Sequence, residues 1–242
     1  MALLEGLNAG TLGGVWATAY LVKVLCQAVS SVSPEDKYGP TGYDPAGTEA
    51  AGLRRCVRGG DALDYRIDFW NKEDAPAPTQ DVYIEDQLDG DLDPSTFEFG
   101  EFGFLKWSVP VAAGTRTLDA TVDLRPDMSL KVHVTGSISA EGKVVWELHA
   151  LDPYTTEPPE DPQAGFLPPI TDSGYEIGWV NYSVRPKAGL ATGTQIANQA
   201  QVKFDLGPWK PAPPNPDSEI PGLGPWLNTI DAGAPSSRVT SA

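Results

Sequence analysis

The chain has 242 residues, of which 40% are hydrophobic, so it can bury the core of one large β domain or of two small ones. It carries 33 acidic and 17 basic residues, a formal net charge of −16, which excludes the basic surface needed to bind nucleic acid and disfavours an anionic membrane. Its 25 glycines and 23 prolines favour many turns over long helices.

Residues 1–32 differ from the rest of the chain because their apolar side chains recur at helical spacing. The stripe consists of Val15, Ala19, Val22, Cys26 and Val29. The segment matches a secretory signal poorly, since its first residues include Glu5 and no Lys or Arg. Lys23 and Gln27 would lie inside a membrane span. We therefore predict a short N-terminal helix that packs on this domain or on a neighbour.

Alternation of apolar and polar residues predicts strands along most of residues 33–206. In the segment from Leu63 to Phe69, the odd-numbered residues are apolar and the even-numbered ones are charged. Similar patterns occur near Val82–Ile84, Phe97–Phe99, Leu118–Leu124, Leu130–Ile138, Val144–Leu148, Val180–Val184 and Ile196–Phe204. About eight short strands separated by turns predict an all-β fold, an antiparallel β-sandwich.

Two proline-rich stretches interrupt or follow this pattern. Residues 152–169 contain four Pro-Pro or Asp-Pro steps and predict a loop that cannot be a central strand. Residues 207–242 predict a semi-rigid linker to a following domain. The cysteines Cys26 and Cys56 lie in different segments, and their spacing indicates two unrelated thiols more than a disulfide.

The segment from Leu130 to Leu148 predicts a hairpin with a defined register. A turn over residues 139–143 places the apolar residues of both arms on one face, with Gly136 opposite Trp146 and the indole covering the glycine. His133 then faces His149 on the polar side, close enough to share a weakly held metal. Two charged imidazoles would repel each other, so we expect the hairpin to loosen below about pH 6. A two-residue Glu141-Gly142 turn is the alternative, and it would separate the apolar sets.

The sequence of residues 59–100 resembles the bacterial conserved-repeat module, an immunoglobulin-like domain arranged in arrays along large surface and secreted proteins. The matching positions are Gly60, Asp61, Tyr65, Ile67, Asn71, Val82, Asp86 and Leu88, and near the end of the sandwich Asn198, Ala200 and Val202. The chain departs from the simple module in residues 100–178, which hold extra strands.

This resemblance implies an elaborated immunoglobulin-like sandwich at residues 33–206, within a longer bacterial surface or secreted protein. Its partners would be neighbouring domains of the same polypeptide, and its location would be extracellular or at the cell surface. The function it implies is that of a non-catalytic structural or spacer module. A carbohydrate-binding or adhesive module is the alternative, in which Trp70, Trp107 or Trp179 would stack on surface glycans or contact proteins.

An acidic turn after the second predicted strand is the best candidate for a metal site. Asp86, Asp89, Asp91 and Asp93 offer hard oxygen ligands, which suit calcium. Their spacing is not that of the helix-loop-helix calcium motif, and Asp and Gly are also the usual residues of exposed turns. Calcium stiffening and an ordinary turn both stay open, and no other cofactor is expected.

The sequence offers little to support catalysis. A serine-histidine-aspartate triad would need His133 or His149, which lie on the polar faces of their strands and beside no Gly-x-Ser-x-Gly turn. Paired carboxylates of a glycosidase are suggested only by the abundance of acids. We predict that the chain is not an enzyme, and a hydrolase-associated domain is kept as a second alternative.

Asn198 lies on the apolar side of the last predicted strand, where a buried amide must be hydrogen-bonded. Some bacterial surface sandwiches cross-link a lysine and an asparagine covalently beside an acidic residue, and Lys37 lies near the opposite end of the domain. The simpler interpretation is an amide bonded to the neighbouring backbone.

Overall fold

The computed structural model describes residues 35–44, 55–212 and 225–233. The helix predicted for residues 1–32 lies outside these residues, and so does Cys26, while Cys56 is a buried free thiol. The strands are β1 (Glu35–Tyr38), β2 (Cys56–Val57), β3 (Leu63–Trp70), β4 (Asp81–Gln87), β5 (Leu92–Phe104), β6 (Trp107–Val109), β7 (Thr117–Asp123), β8 (Lys131–Ile138), β9 (Lys143–Leu151), β10 (Ile177–Pro186), β11 (Gln195–Phe204), β12 (Lys210–Pro211) and β13 (Trp226–Ile230). Among the described residues, no helix has the length and hydropathy needed to cross a membrane.

The strands form two sheets whose inner faces enclose the core. One sheet has five strands in the order β1-β3-β10-β5-β6. The other has eight, in the order β2-β13-β11-β4-β9-β8-β7, with β12 paired to β11. All pairs are antiparallel except β13 with β2, which is parallel. The predicted all-β sandwich is therefore confirmed.

The period-two pattern of the sequence determines which side chains enter the core. In β3 the residues from Leu63 to Phe69 alternate between buried and exposed, as predicted. In β11 the even-numbered residues, from Ile196 to Phe204, are all buried. Aromatic rings fill the space between the sheets, and Phe97, Phe99, Trp146 and Tyr182 contact one another there. Burial of such rings is the main stabilising contribution expected in a sandwich of this size.

The hairpin of β8 and β9 has the predicted register. Ile138 pairs with Val144, Gly136 with Trp146, and His133 with His149. The predicted cover of Gly136 by the indole is not what the structure shows, because the atoms nearest to an added Cβ belong to the ring of Phe99 at 2.9 Å and to Leu118 at 3.0 Å. Trp146 packs edge-on against that ring.

The expected loosening of this hairpin in acid is wrong for His149. Its Nδ1 lies 2.9 Å from Asp81 Oδ1, and this hydrogen bond raises the pKa of His149 despite partial burial of the ring. His133 Nε2 similarly lies 2.9 Å from Asp119 Oδ1. Each imidazole thus has a carboxylate of its own, so protonation of His149 is favoured in the folded protein.

Five strands lie where the sequence shows no alternation. β1 and β2 occupy the turn-rich residues 33–60, and β6 has only three residues. β12 and β13 lie within residues 207–242, predicted as a linker; β13 instead completes the larger sheet, burying Trp226 and Ile230. The proline-rich residues 213–224 lie outside the described part of the chain.

The loop at residues 152–169 closes one end of the sandwich. It is irregular, as its prolines predict, but Phe166 and Leu167 are fully buried. The backbone N–H of Thr79 donates to the carbonyl of Leu167 at 2.8 Å, which fixes the loop against the start of β4. The loop is therefore part of the core and not a flexible excursion.

Candidate functional site

Four polar side chains meet inside the core, between the two sheets. They are Lys37 of β1, Asp86 of β4, Tyr182 of β10 and Asn198 of β11. Each lies on the inward face of its strand, and all four are buried. Two sheets contribute two residues each, so the cluster joins β1 and β10 of the smaller sheet to β4 and β11 of the larger one.

The hydroxyl of Tyr182 is the centre of this polar cluster. It donates a hydrogen bond to Asp86 Oδ2 at 2.7 Å. It accepts one from Lys37 Nζ at 3.0 Å and another from Asn198 Nδ2 at 2.7 Å. Lys37 Nζ also forms a direct ion pair with Asp86 Oδ2. The amine, the carboxylate and the carboxamide are thereby held around a single phenol oxygen.

Aromatic rings separate the polar cluster from water. The rings of Tyr65 and Tyr182 stack with centroids 5.1 Å apart, and Phe97 stacks on the other side of Tyr182 at 5.3 Å. Lys37 Nζ lies 5.0 Å from the centroid of the Tyr65 ring. The side chains of Lys37 and Asp86 are 1% and 0% exposed. In such a low-dielectric site, an ion pair does not repay its desolvation unless further hydrogen bonds support it.

Burial alters the proton affinities of the cluster. It lowers the pKa of Lys37, although the neighbouring Asp86 opposes this shift. Burial, together with the negative charge of Asp86, raises the pKa of Tyr182 well above its usual value. The lysine is therefore closer to its neutral, nucleophilic form than a surface lysine, while the tyrosine keeps its proton.

Two oxygen atoms of the polar cluster have no hydrogen-bond partner among the described residues. They are Asp86 Oδ1 and Asn198 Oδ1, and both are buried. An unsatisfied buried acceptor costs about 1–3 kcal/mol, so folded proteins rarely keep one without a reason. Six further buried side-chain atoms in the described part of the chain also lack a partner, among them Oδ1 of Asn228, so this feature is shared by the polar cluster and other buried sites.

The four acidic residues predicted to bind calcium lie in different surroundings. Asp86 points into the core, whereas the carboxylate of Asp89 accepts the N–H of Asp91 at 2.8 Å and that of Ala197 at 2.8 Å. Asp93 Oδ1 accepts the N–H and the hydroxyl of Ser95. No group of three or more metal-binding side chains is arranged around a common point in the described ranges. Calcium binding at this turn stays a prediction, in which the buried Asp86 could not take part.

The other candidate side chains lie apart from the polar cluster. Trp70, Trp107 and Trp179 belong to the smaller sheet and are half-buried. Trp107 packs towards the core against Phe104, and Trp179 lies on the outer face below the guanidinium of Arg66. Trp70 shares the outward parity of Trp179 on the adjacent strand, since Trp70 pairs with Ile177 and Trp179 with Asp68, so two of the three tryptophans lie on one face. His133 and His149 face outward from the larger sheet with their carboxylate partners.

The sequence offers Lys37 and Asn198 only as the less favoured alternative to an amide bonded to backbone, whereas Asn198 Nδ2 donates to the side chain of Tyr182. The predicted environment of Asp86 is wrong. Asp86 was placed in the exposed acidic turn, although it shares the even parity of Val82 and Ile84. That parity alone predicts an inward side chain. Tyr182 was placed in a strand, but nothing in the sequence indicated that its hydroxyl would meet the other three.

Comparison with known proteins gives a likeness to solved β-sandwich structures only. No protein-family model matches the chain, and no curated protein matches it. The fimbrial protein FimP of Actinomyces oris is 16% identical, with a TM-score of 0.41, over 80% of this chain and 36% of that one. The T6 backbone pilin of Streptococcus pyogenes serotype M6 is 12% identical, with a TM-score of 0.38, over 75% of this chain and 35% of that one.

A collagen-binding domain from a Staphylococcus aureus adhesin is 14% identical, with a TM-score of 0.35, over 83% of this chain and 98% of that one. Other matches include enzymes as well as surface proteins. The chain spans about a third of the length of the two pilus proteins. With identities and TM-scores this low, the likenesses carry no conclusion about function or partners.

Proposed function

We propose that this chain is a structural module of a bacterial surface or secreted protein, stabilised by an amide bond between the side chains of Lys37 and Asn198. The observation that supports the proposal is the buried contact of Lys37 with Asp86, which the Tyr182 hydroxyl connects to the Asn198 carboxamide. A spacer domain needs resistance to unfolding more than it needs a ligand site. A covalent bond between the two sheets supplies that resistance.

The reaction requires a neutral amine, and the site favours one. Lys37 is fully buried, and its lowered pKa reflects the cost of keeping an ammonium group away from water. Asp86 can take the proton of the ammonium through their direct contact. Transfer of that proton converts two buried charges into two neutral groups, which removes the desolvation cost of the pair.

The neutral amine then attacks the carboxamide carbon of Asn198. The Lys37 nitrogen forms a bond to Cγ of Asn198, and the bond between Cγ and Nδ2 breaks. The attacking nitrogen gives up one proton, the departing nitrogen gains one, and ammonia leaves. No oxidant, metal or energy source is consumed, and Asp86, which starts ionised beside the ammonium group, ends protonated when the nitrogen leaves as neutral ammonia. Because folding brings the groups together, the reaction is intramolecular, which is equivalent to a very high reactant concentration.

Intact-protein mass spectrometry tests the proposal directly. The purified full chain should weigh less than its sequence mass by one molecule of ammonia. A protease digest should yield a branched peptide that joins the segment of Lys37 to that of Asn198. The variants Lys37→Met, Asn198→Ala and Asp86→Ala should each recover the full sequence mass.

Asn228→Ala is the matched control. Asn228 is also fully buried, but its Nδ2 donates to the backbone carbonyls of Pro40 and Arg55 at 2.8 and 3.0 Å and not to a side chain that is hydrogen-bonded to a lysine. This variant should keep the ammonia deficit. A wild-type chain that folds and retains its full sequence mass would contradict the proposal.

Calcium stiffening at the acidic turn is a separate prediction, on which the proposed bond does not depend. An adhesive role at the surface is compatible with it, because a covalently closed scaffold can present loops of any specificity. Neighbouring domains in the same polypeptide are the partners that this function implies.

A further inference from the structure

The hydroxyl of Tyr182 touches every group that exchanges a proton in the proposed reaction. It lies 2.7 Å from Asp86 Oδ2, which takes the proton of the amine, and 2.7 Å from Asn198 Nδ2, which must leave as ammonia. Among the described residues, no hydrogen bond links Asp86 directly to Asn198. The path from the carboxylate to the leaving nitrogen therefore runs through the phenol oxygen.

We infer that Tyr182 is a further catalytic residue of this chain, the general acid that delivers a proton to the departing nitrogen of Asn198. The inference rests on the proposed function, and it adds Tyr182 to Lys37, Asp86 and Asn198 as a participant in the reaction. It is carried by the position of one oxygen between a proton acceptor and a leaving group.

The proton transfers balance in two stages. In the first, Asp86 takes one proton from the Lys37 ammonium, and the neutral amine adds to Cγ of Asn198. The nitrogen Nδ2 is then no longer conjugated to a carbonyl and gains a basic lone pair. In the second stage, the Tyr182 hydroxyl donates its proton to Nδ2, takes a replacement from the protonated Asp86, and ammonia departs. The attacking nitrogen then returns its excess proton to Asp86, which has just been left ionised.

A neutral tyrosine in this position suits the role of an acid. Burial and the charge of Asp86 raise the pKa of Tyr182, so the hydroxyl is protonated throughout the physiological range. Rotation of the O–H bond suffices to redirect its proton from Asp86 to Nδ2, because both acceptors lie within hydrogen-bond distance. The stacked rings of Tyr65 and Phe97 hold the phenol in place while this happens.

Tyr65 provides a matched control for the hydroxyl of Tyr182. Its ring is equally buried and stacks directly on that of Tyr182. Its oxygen lies near the Asn198 amide but makes no hydrogen bond of normal geometry. Tyr65→Phe and Tyr182→Phe therefore remove the same atom from the same aromatic stack, and only the second removes it from the path of the proton.

The experiment follows the mass of the full chain during a pulse and chase in cell-free translation, with loss of ammonia as the measure of bond formation. General acid catalysis contributes about 100-fold or more, so Tyr182→Phe should form the bond at least about 100-fold more slowly than the wild type. Tyr65→Phe should stay within a few-fold of the wild type. Urea unfolding of each variant verifies that it has folded.

A second variant separates acid catalysis from packing. Site-specific 3-fluorotyrosine at position 182 keeps the ring and the hydroxyl but makes the hydroxyl a stronger acid, so bond formation should be faster than in the wild type. An unchanged rate of bond formation with 3-fluorotyrosine would overturn the inference. The inference would also be overturned if Tyr182→Phe formed the bond as fast as the wild type, or if Tyr182→Phe and Tyr65→Phe were slowed equally. In each of these cases the proposed function stands, provided the wild type loses ammonia. A wild type that never loses ammonia overturns both.

Discussion

The substitution Asn198→Ala removes the carboxamide that forms the proposed bond. The free energy of unfolding should then fall by an amount that depends on the length of the loop closed by the bond. A bond from Lys37 to Asn198 closes a loop of about 160 residues, and the chain-entropy relation for cross-links gives about 5 kcal/mol for such a loop. Asn198→Ala also loses one hydrogen bond to Tyr182, worth about 1 kcal/mol. The free energy of unfolding should therefore fall by about 6 kcal/mol, a large part of the total for an ordinary domain.

Urea unfolding of purified wild type, Asn198→Ala and Asn228→Ala measures this difference. Asn228→Ala removes two hydrogen bonds of a buried asparagine and should cost about 1–3 kcal/mol, without opening any loop. The dependence on urea should also be steeper for Asn198→Ala, because an unlinked unfolded chain exposes more surface. Equal losses of stability in the two variants, with equal urea dependence, would refute the reasoning.

Two further predictions concern the hairpin of β8 and β9. Gly136→Ala should lower the free energy of unfolding by about 1–3 kcal/mol in urea titration, because its Cβ would lie 2.9 Å from the packed ring of Phe99. Gly60→Ala is the control and should change little, because the space around Gly60 is open. Equal effects of the two substitutions would contradict the packing argument. His149→Gln should lower stability at about pH 5 by up to about 1 kcal/mol and have little effect at pH 8. The reason is that the pKa of His149 is raised in the folded protein. The stabilisation is complete at pH values below the usual histidine pKa, and it disappears as the pH rises through the raised pKa. A loss of stability in His149→Gln that is larger at pH 8 than at pH 5 would contradict this pH dependence.

The sequence predicted the fold where alternation was long enough to determine a face. β3, β4, β8, β9 and β11 each have seven or more residues, and their buried positions follow the predicted parity. Strands of two to five residues, such as β1 and β13, offer too few positions for a period to be recognised. Their places in the sheets depend on partners far away in the chain.

The candidate site was predictable in part for the same reason. The parity of β11 placed Asn198 inside, and that of β4 would have placed Asp86 inside had it been followed past Ile84. The meeting of Lys37 with both was not predictable from local pattern, since β1 pairs with β3 at the edge of the opposite sheet. The position of the Tyr182 hydroxyl depends on the packing of the two sheets, which no single strand encodes.

The position of β13 has a mechanical consequence for a chain under tension. β13 lies beyond Asn198 and pairs antiparallel with β11, Thr229 beside Gln195, and in parallel with β2, so a pull on the chain after Ile230 acts on both pairings. With the proposed bond in place, only the roughly 30 residues from Asn198 to Ile230 could extend on that side, by about 100 Å at 3.3–3.6 Å per residue. Extension would remove residues 199–204 of β11 from their pairing with β4 and would then stop at the covalent bond. The domain would thus extend by a short, fixed length and then transmit the force through the Lys37–Asn198 bond, so that the roughly 160 residues between them could not be extended.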